Sequence, residues 1–125
     1  MTWKEFINRL IRPQVSDAVG PESDFHWTNS QVMYYMNQMR RMLYTLHPEA
    51  FNLTAIQITE PADLDVEGGI SASLDATIDI RAQFVDSAMH YVAFLMLSED
   101  SEDAANQSLA NDHLQKAIAG GVGWR

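Results

Sequence analysis

Residues Arg81–Ser98 read RAQFVDSAMHYVAFLMLS, and this stretch decides how the rest of the chain is organised. Its second half is an apolar run that only His90 interrupts. A helix that is apolar nearly all round must be covered on most of its sides. The run is far shorter than the roughly 20 apolar residues needed to cross a bilayer. We therefore predict the central helix of a small soluble domain, beginning at Asp79 or Ile80 and ending near Glu99.

The composition is typical of one globular domain. A chain of 125 residues can bury roughly two-thirds of its unfolded surface, and its 46% apolar content argues against wholesale disorder. The absence of cysteine excludes disulfides and thiolate metal sites. The first residues mix charges with apolar side chains and lack the apolar core of a signal peptide. We expect a protein kept in the cytoplasm, or carried in a particle assembled there, without membrane contact.

The charge is strongly acidic and unevenly distributed. Eight Lys and Arg against 17 Asp and Glu give a net charge of −9. Residues 1–48 hold five basic and four acidic residues, a net +1, whereas residues 49–125 hold three and 13, a net −10. Affinity for duplex DNA comes mainly from cations that replace phosphate counterions. The sequence therefore argues against tight, sequence-independent DNA binding, although an acidic wall can face DNA without holding it.

Two capping boxes predict the starts of the first two helices. Each has a threonine followed three residues later by Glu or Gln, at Thr2 and at Thr28. We predict the first helix over Trp3–Arg12, with Pro13 stopping it. The second helix is predicted to run from Thr28 to His47.

The second helix carries one continuous apolar stripe at steps of three and four residues. Core packing explains this methionine-rich stripe better than an adaptable binding surface, the alternative that methionine also permits. Arg40 and Arg41 are predicted to face away from it. The stripe consists of Val32, Met36, Met39, Leu43 and Leu46, widened by Met33 and Met42.

Between the second and the central helix the period changes to two. The segment Leu53–Thr59 is rich in β-branched residues, and from Ile70 to Ile80 apolar and polar residues alternate strictly. We predict a two-stranded β-hairpin over about residues 53–80, with the acidic linker PADLDVEGG as its exposed tip. A lone hairpin is marginally stable and needs packing on helices or on a neighbouring subunit. Overall we expect a mainly α protein, a small four-helix bundle with this hairpin inserted between helices two and three.

The last predicted helix spans about Glu102–Ala119, with acids in its first turn and Gly120 and Gly121 ending it. Its thinner apolar face consists mostly of small residues. The domain thus covers residues 1–121 and leaves a short tail, residues 122–125. The apolar face is made of Ala105, Leu109, Leu114, Ala117 and Ile118; the tail is Val122, Gly123, Trp124 and Arg125.

No motif predicts catalysis, a cofactor or a metal site. The segment that begins at Asp63 resembles a calcium loop, but Leu74 stands where a bidentate Glu is required. His90 is a candidate ligand or base, with Asp86 one turn earlier as its partner, although such a pair is more often a core histidine with a satisfied hydrogen bond. We predict that the protein is not an enzyme.

Several landmarks occur in an order that resembles a known family. A Gln-Val-Ser-Asp loop precedes the second helix, which carries Asn37 in YMNQM and ends in Leu-His-Pro-Glu-Ala. The apolar helix then runs into LSEDSED, and the last helix carries Ala110 and His113 before its Gly-Gly end. Over about residues 3–121 the chain is similar to the small head-to-tail connector, or adaptor, proteins of tailed bacteriophages.

The resemblance implies a structural virion protein of the neck, assembled in the host cytoplasm. Members of that family form a ring, typically of twelve copies, between the portal protein and the downstream tail or nozzle protein. The ring extends the channel through which DNA passes, and acidic walls would let the DNA slide. By the same analogy, the tail Val122–Arg125 docks on the portal with Trp124 as its anchor. The hairpin, through Asp63, Asp65, Glu67 and Ile70, is the other candidate contact, with a neighbouring subunit or the tail.

Two other functions remain open at this point. A monomeric acidic helical protein could sequester a basic partner, as DNA mimics do, and would then bind it tightly and in a salt-sensitive manner. A small bundle enzyme would use Asp86 and His90, and replacing His90 by Phe would then abolish an activity without unfolding the protein.

Overall fold

The computed structural model describes residues 1–15, 27–51, 60–66, 68–99 and 104–124. Within these residues the chain is mainly helical, as predicted, and contains no β-strand. The first helix, α1, covers residues 3–14 in three consecutive stretches. They are the α-helical turn Trp3–Glu5, the π-helical Phe6–Ile11 and the α-helical turn Arg12–Gln14.

The capping box at Thr2 forms as predicted, but Pro13 does not stop α1. The Glu5 amide donates to Thr2 Oγ1, and the Thr2 amide donates to Glu5 Oε1, both over 3.2 Å. At the end of the π-helical stretch the Arg12 amide bonds to the carbonyl of Ile7. Pro13 therefore stands at the start of a new α-helical turn, where a missing N–H costs least.

Helix α2, Asn29–Leu46, confirms both the second capping box and the predicted apolar stripe. The stripe is buried except at its C-terminal end, where Met42 and Leu46 are half-buried. Arg40 was predicted to face away, and this is wrong: only 3% of the residue is exposed. The buried arc is wider than the stripe because later segments cover the face that carries Asn37 and Arg40. A short 3₁₀ turn, Pro48–Phe51, follows the helix.

The predicted β-hairpin is the main error. Its first strand, Leu53–Thr59, lies outside the described residues. Where the second strand was predicted, Ile70–Asp75 forms a short helix, α3. The apolar alternation misled because a period of two also places Ile70 and Leu74 four residues apart, on one face of a helix.

In the part of the chain that the structure describes, extended pairing occurs only after α3, and its partner is the start of the chain. Thr77 forms an isolated antiparallel bridge with Thr2. The Trp3 amide donates to the Ala76 carbonyl, and the Ile78 amide donates to the Met1 carbonyl, both over 3.0 Å. These bonds fix the start of α1 against the segment that leads into the central helix.

The central helix, α4, spans Ala82–Glu99, two to three residues later at its start than predicted. Every residue from Ser87 to Ala93 is buried, which confirms a helix covered on most sides. Helix α5, Ala104–Ala119, packs along α4 and confirms the predicted C-terminal end. Helices α1 and α2 also pack against α4.

The buried face of α5 differs from the predicted one. Ala117 is buried as predicted, but the other buried residues are Ala110 and His113, whereas the predicted Leu109, Leu114 and Ile118 are half-buried. The side chain of Ala105 lies outside the described residues. The core is closed by large side chains from α1, α2, α4 and the C-terminal tail. Among the described helices, none combines the length and the hydropathy that crossing a membrane requires. The largest fully buried apolar side chains are Trp3, Phe6, Ile7, Ile11, Met33, Met36, Met39, Leu43, Met96, Leu97 and Trp124.

Candidate functional site

The acidic linker predicted as a hairpin tip lies along α2. We call residues 60–66 the strap. Ser30 Oγ donates to the Val66 carbonyl over 2.6 Å. Asn37 binds Leu64 twice: its amide nitrogen donates to the Leu64 carbonyl, and its oxygen accepts from the Leu64 amide, each over 2.8 Å. Polar side chains along one edge of α2 therefore form hydrogen bonds to the backbone of the strap at alternate residues, Leu64 and Val66.

Arg40 binds the strap from its buried side. Its Nη1 donates to the Ala62 carbonyl over 2.7 Å, and its Nη2 lies 2.6 Å from Asp79 Oδ2. The guanidinium carbon lies 5.5 Å from the Trp3 ring centroid and 5.7 Å from that of Phe51, distances typical of cation–π contacts. One buried cation thus joins α1, α2, the strap and the residues before α4.

Arg41 and Asp63 form an ion pair at the surface of the strap. The hydrogen bond to Asp63 and its negative charge raise the pKa of Arg41. Both side chains are largely exposed, so solvent screens the pair and its contribution to stability is small. The positive charge that faces Asp63 thus comes from the same chain.

The predicted contact residues of the hairpin are partly brought together. Asp63 and Asp65 both lie on the strap with exposed side chains, and the Asp65 amide donates to Ser73 Oγ over 3.0 Å. Ile70 is half-buried at the start of α3, and Glu67 lies outside the described residues. Beside the two aspartates lies an open groove of about 280 Å³, lined on one side by the strap and on the other by Tyr34, Asn37 and Arg41 of α2.

The tail folds back onto the domain, which composition alone did not indicate. Trp124 is fully buried and stacks on Tyr91 with ring centroids 4.2 Å apart and an interplanar angle of 14°. Its Nε1 donates to Ser87 Oγ over 2.7 Å, and Ser87 Oγ donates to the Ala117 carbonyl over 2.7 Å. We call Ser87, Tyr91 and Ala117 the tryptophan socket. Burial raises the pKa of Tyr91.

His47 holds the other end of the tail. Its Nε2 lies 2.8 Å from the Val122 carbonyl, and its Nδ1 lies 2.9 Å from Glu49 Oε1. Hydrogen bonds from its own backbone amide and from His47 lower the pKa of Glu49. Val122 is buried, Gly123 is exposed, and Arg125 lies outside the described residues. While this arrangement holds, Trp124 is packed against residues of its own chain.

A glycine permits the close approach of the tail to α4. A Cβ atom on Gly120 would lie 2.8 Å from Ser87 Cβ and 2.9 Å from Ser87 Oγ. Gly121 and Gly123 have φ angles of 78° and 84°, a region that favours glycine. The glycines that were predicted only to end the last helix therefore also seat the tail.

His90 faces a second histidine that the sequence did not connect to it. His90 Nδ1 lies 3.0 Å from His113 Nδ1, and the ring centroids are 5.2 Å apart with an interplanar angle of 26°. Asp86, the predicted partner, is 3.8 Å from His90 Nε2, and its side chain is 85% exposed. The available signal was the spacing of Ala110, His113 and Ala117, which places the histidine on the buried face of α5.

The described side chains form no cluster of metal ligands. In the part of the chain that the structure describes, no group of three or more His, Asp or Glu side chains is positioned to hold a metal ion. The sequence comparisons add no assignment: neither protein-family models, nor curated protein sequences, nor solved structures give a significant match to the chain.

Proposed function

We propose that the protein is a structural subunit of a bacteriophage head-to-tail connector, a virion neck component that forms a ring between the portal and the tail. The observation that carries the proposal is the distribution of charge. Arg12 and Arg40 are buried, and Arg9 and Arg41 pair with Glu5 and Asp63. Among the residues that the structure describes, few cations are therefore placed to bind phosphates.

The carboxylates are distributed in the opposite way. In the described residues most of them are exposed to solvent, and all the exposed ones lie between residues 49 and 112. Such a surface repels the phosphate backbone at short range and binds it poorly, which suits a channel wall past which DNA must slide. The exposed acids are Glu49, Glu60, Asp63, Asp65, Asp75, Asp86, Glu99 and Asp112.

The landmarks on which the family resemblance rests occupy structural positions. Asn37 binds the strap, His47 binds the tail, and Ala110 and His113 lie on the buried face of α5. Residues that hold non-helical segments onto helices are those that a shared architecture would require. This placement supports the resemblance as one of architecture and not of chemistry.

The proposal is tested by recovering the tagged protein from cells that produce the whole particle and viewing the eluate by electron microscopy. We expect rings attached to a portal. A soluble one-to-one complex with a basic protein, dissociated by salt, would contradict the connector proposal and favour the acidic binding module.

The contact surface is tested in the same assay with a matched pair of variants. Asp63→Asn with Asp65→Asn removes two charges from the strap, and Asp75→Asn with Asp112→Asn removes two exposed charges elsewhere. If the strap contacts a neighbouring subunit or the tail, only the first variant lowers ring recovery. Deletion of residues 122–125 tests docking of the tail on the portal, provided that circular dichroism shows the shortened chain to be folded.

A further inference from the structure

The pair His90 and His113 joins three helices inside the domain. His90 comes from α4 and His113 from α5, and both residues are buried. His113 Nε2 lies 3.2 Å from the carbonyl of Gln14, the last residue of α1. In the described residues, the charged groups that face the pair are Asp86 on α4 and Asp112 and Lys116 on α5.

The hydrogen bonds fix the tautomers of the neutral pair. A carbonyl can only accept, so His113 Nε2 carries the proton that it donates to Gln14. The Nδ1 of neutral His113 is then an acceptor, and His90 Nδ1 donates to it over 3.0 Å. This leaves His90 Nε2 without a proton, on the side of the ring where Asp86 lies.

The pair can accept one proton without losing a bond. Protonation of His90 Nε2 keeps the bond to His113 and places the new N–H toward the Asp86 carboxylate. A second proton must bind His113 Nδ1, and two N–H groups then face each other across the short contact. Two buried like charges at this distance repel strongly, and the central hydrogen bond is lost.

The same helix contact forms the tryptophan socket. On α4, Ser87 and Tyr91 flank His90, and on α5 Ala117 follows His113 by one turn. Ser87 Oγ bonds both to Trp124 and to the Ala117 carbonyl. Separation of α4 from α5 at the histidines therefore opens the site that holds Trp124.

We propose that the His90–His113 pair is a proton-controlled joint: it holds α5 on α4 while it carries at most one proton, and a second proton opens the joint and releases Trp124 from its socket. This inference stands independently of the connector function. It describes an acid-sensitive device that controls whether the tail is packed inside the domain or free.

The direction of the pH dependence follows from burial. Burial lowers the pKa of both histidines below the ordinary 6.5; Asp86 opposes this at His90, and the Gln14 carbonyl opposes it at His113. Below pH 6.5 the folded state therefore binds fewer protons than the unfolded chain, and stability decreases as the pH falls toward the folded-state pKa values. Well above pH 6.5 both histidines are neutral in the folded and the unfolded state, so the pair no longer makes the stability depend on pH.

The release of the tail can be followed by ¹⁹F NMR with 5-fluorotryptophan, which reports the three tryptophans separately, with Trp124→Phe assigning one signal. We expect the Trp124 signal to move toward that of the free amino acid as the pH falls from 8 to 5, with the transition below the ordinary histidine pKa of 6.5. The Trp3 signal should stay in place across that transition. Imidazole ¹⁵N spectra of the unaltered protein should show two separate protonation steps.

His113→Gln is the decisive variant because its amide can still donate to Gln14 but cannot titrate. The Trp124 signal should then be constant over the same pH range. His47→Gln is the matched control, since it keeps a donor toward Val122 and removes the histidine that contacts the tail directly; its transition should match that of the unaltered protein. Persistence of the transition in His113→Gln, or its loss in His47→Gln, would overturn the proposal.

Should His113→Gln fail to fold at pH 8, two other measurements decide the matter. His90→Asn keeps a donor toward His113 Nδ1 and removes one of the two charges, so its Trp124 transition should move to lower pH or disappear. In the unaltered protein, protonation of both histidines with no change in the Trp124 signal would refute the joint.

Discussion

The strap and the tail are both non-helical segments that lie on helices, yet opposite kinds of contact hold them. The strap is bound through its backbone by the polar side chains of Ser30, Asn37 and Arg40, and its own carboxylates face solvent. The tail is bound through a side chain, since Trp124 is fully buried in a socket. The strap therefore depends on hydrogen bonds and the tail depends on apolar burial.

Because the contacts differ, we expect substitutions to affect the strap and the tail differently. A segment held by its backbone tolerates changes in its own side chains but depends on the helix residues that bind it. A segment held mainly by one aromatic ring depends chiefly on that ring, and the bond of His47 to the Val122 carbonyl adds a smaller contribution. The variants below test this contrast by the free energy of unfolding, from the largest expected loss to the smallest.

Trp124→Ala should cause the largest loss, about 3–5 kcal/mol, because it removes a fully buried aromatic side chain and leaves a cavity against Tyr91. Urea unfolding followed by circular dichroism measures it. Tyr34→Ala is the control, since Tyr34 is 58% exposed and should cost about 0.5 kcal/mol or less. A similarly small loss in Trp124→Ala would show that the tail is not part of the core.

Arg40→Ala should cost about 2–3 kcal/mol, because it leaves the Ala62 carbonyl and Asp79 without the cation that binds both. We expect a smaller loss of stability than for a fully buried ion pair because the Asp79 side chain is 38% exposed, and solvent can stabilise the carboxylate that remains. Arg41→Ala, measured in the same urea titration, should cost clearly less. Equal losses in the two variants would contradict the view that Arg40 is the main anchor of the strap.

Asn37→Ala should cost about 1–2 kcal/mol through two lost hydrogen bonds to Leu64. Its local signature is faster hydrogen exchange of the Leu64 amide, measured by NMR. Asn37→Asp keeps an acceptor for that amide but places a carboxylate against the Leu64 carbonyl, so the destabilisation should remain. Gln38→Ala, one residue further along α2, should leave exchange at Leu64 unchanged.

The contrast also explains which features the sequence could predict. Capping boxes and apolar stripes depend on residues three or four positions apart, and the starts of α1 and α2 and the burial of α4 followed from them. The contacts of the strap with α2 join residues 22 to 36 positions apart, and no local pattern indicates that Asn37 or Arg40 binds a distant backbone. Arg40 was misassigned because a charged residue is normally exposed unless a partner is known.

The socket and the histidine pair were missed for the same reason. Trp124 joins Ser87 across 37 positions, and His113 joins His90 across 23. The sequence alone showed an aromatic residue, Trp124, in the tail and a histidine, His90, on an apolar helix. The pairing of each with its partner depends on how α5 packs on α4, and the small residues of α5 did not specify that register.

A last pair of substitutions should differ in sign between the two regions. Gly121, at the start of the tail, has a φ of 78°, and Gly121→Ala should destabilise by about 1 kcal/mol because a Cβ disfavours the left-handed region. Gly68, just after the strap, lies in open space and has no such φ. Gly68→Ala should be neutral or stabilise by about 0.5 kcal/mol, since it restricts mainly the unfolded chain.

Both values come from thermal and urea unfolding of the single variants. If the ¹⁹F signal of Trp124 moves at neutral pH in Gly121→Ala, the substitution has released the side chain from its socket. The conformation of the turn, and not the burial of the ring, then determines whether the tail is bound. If stability falls and the signal stays, the ring holds the tail even against a strained turn, because about 1 kcal/mol of backbone strain is smaller than the several kcal/mol gained by burying a tryptophan.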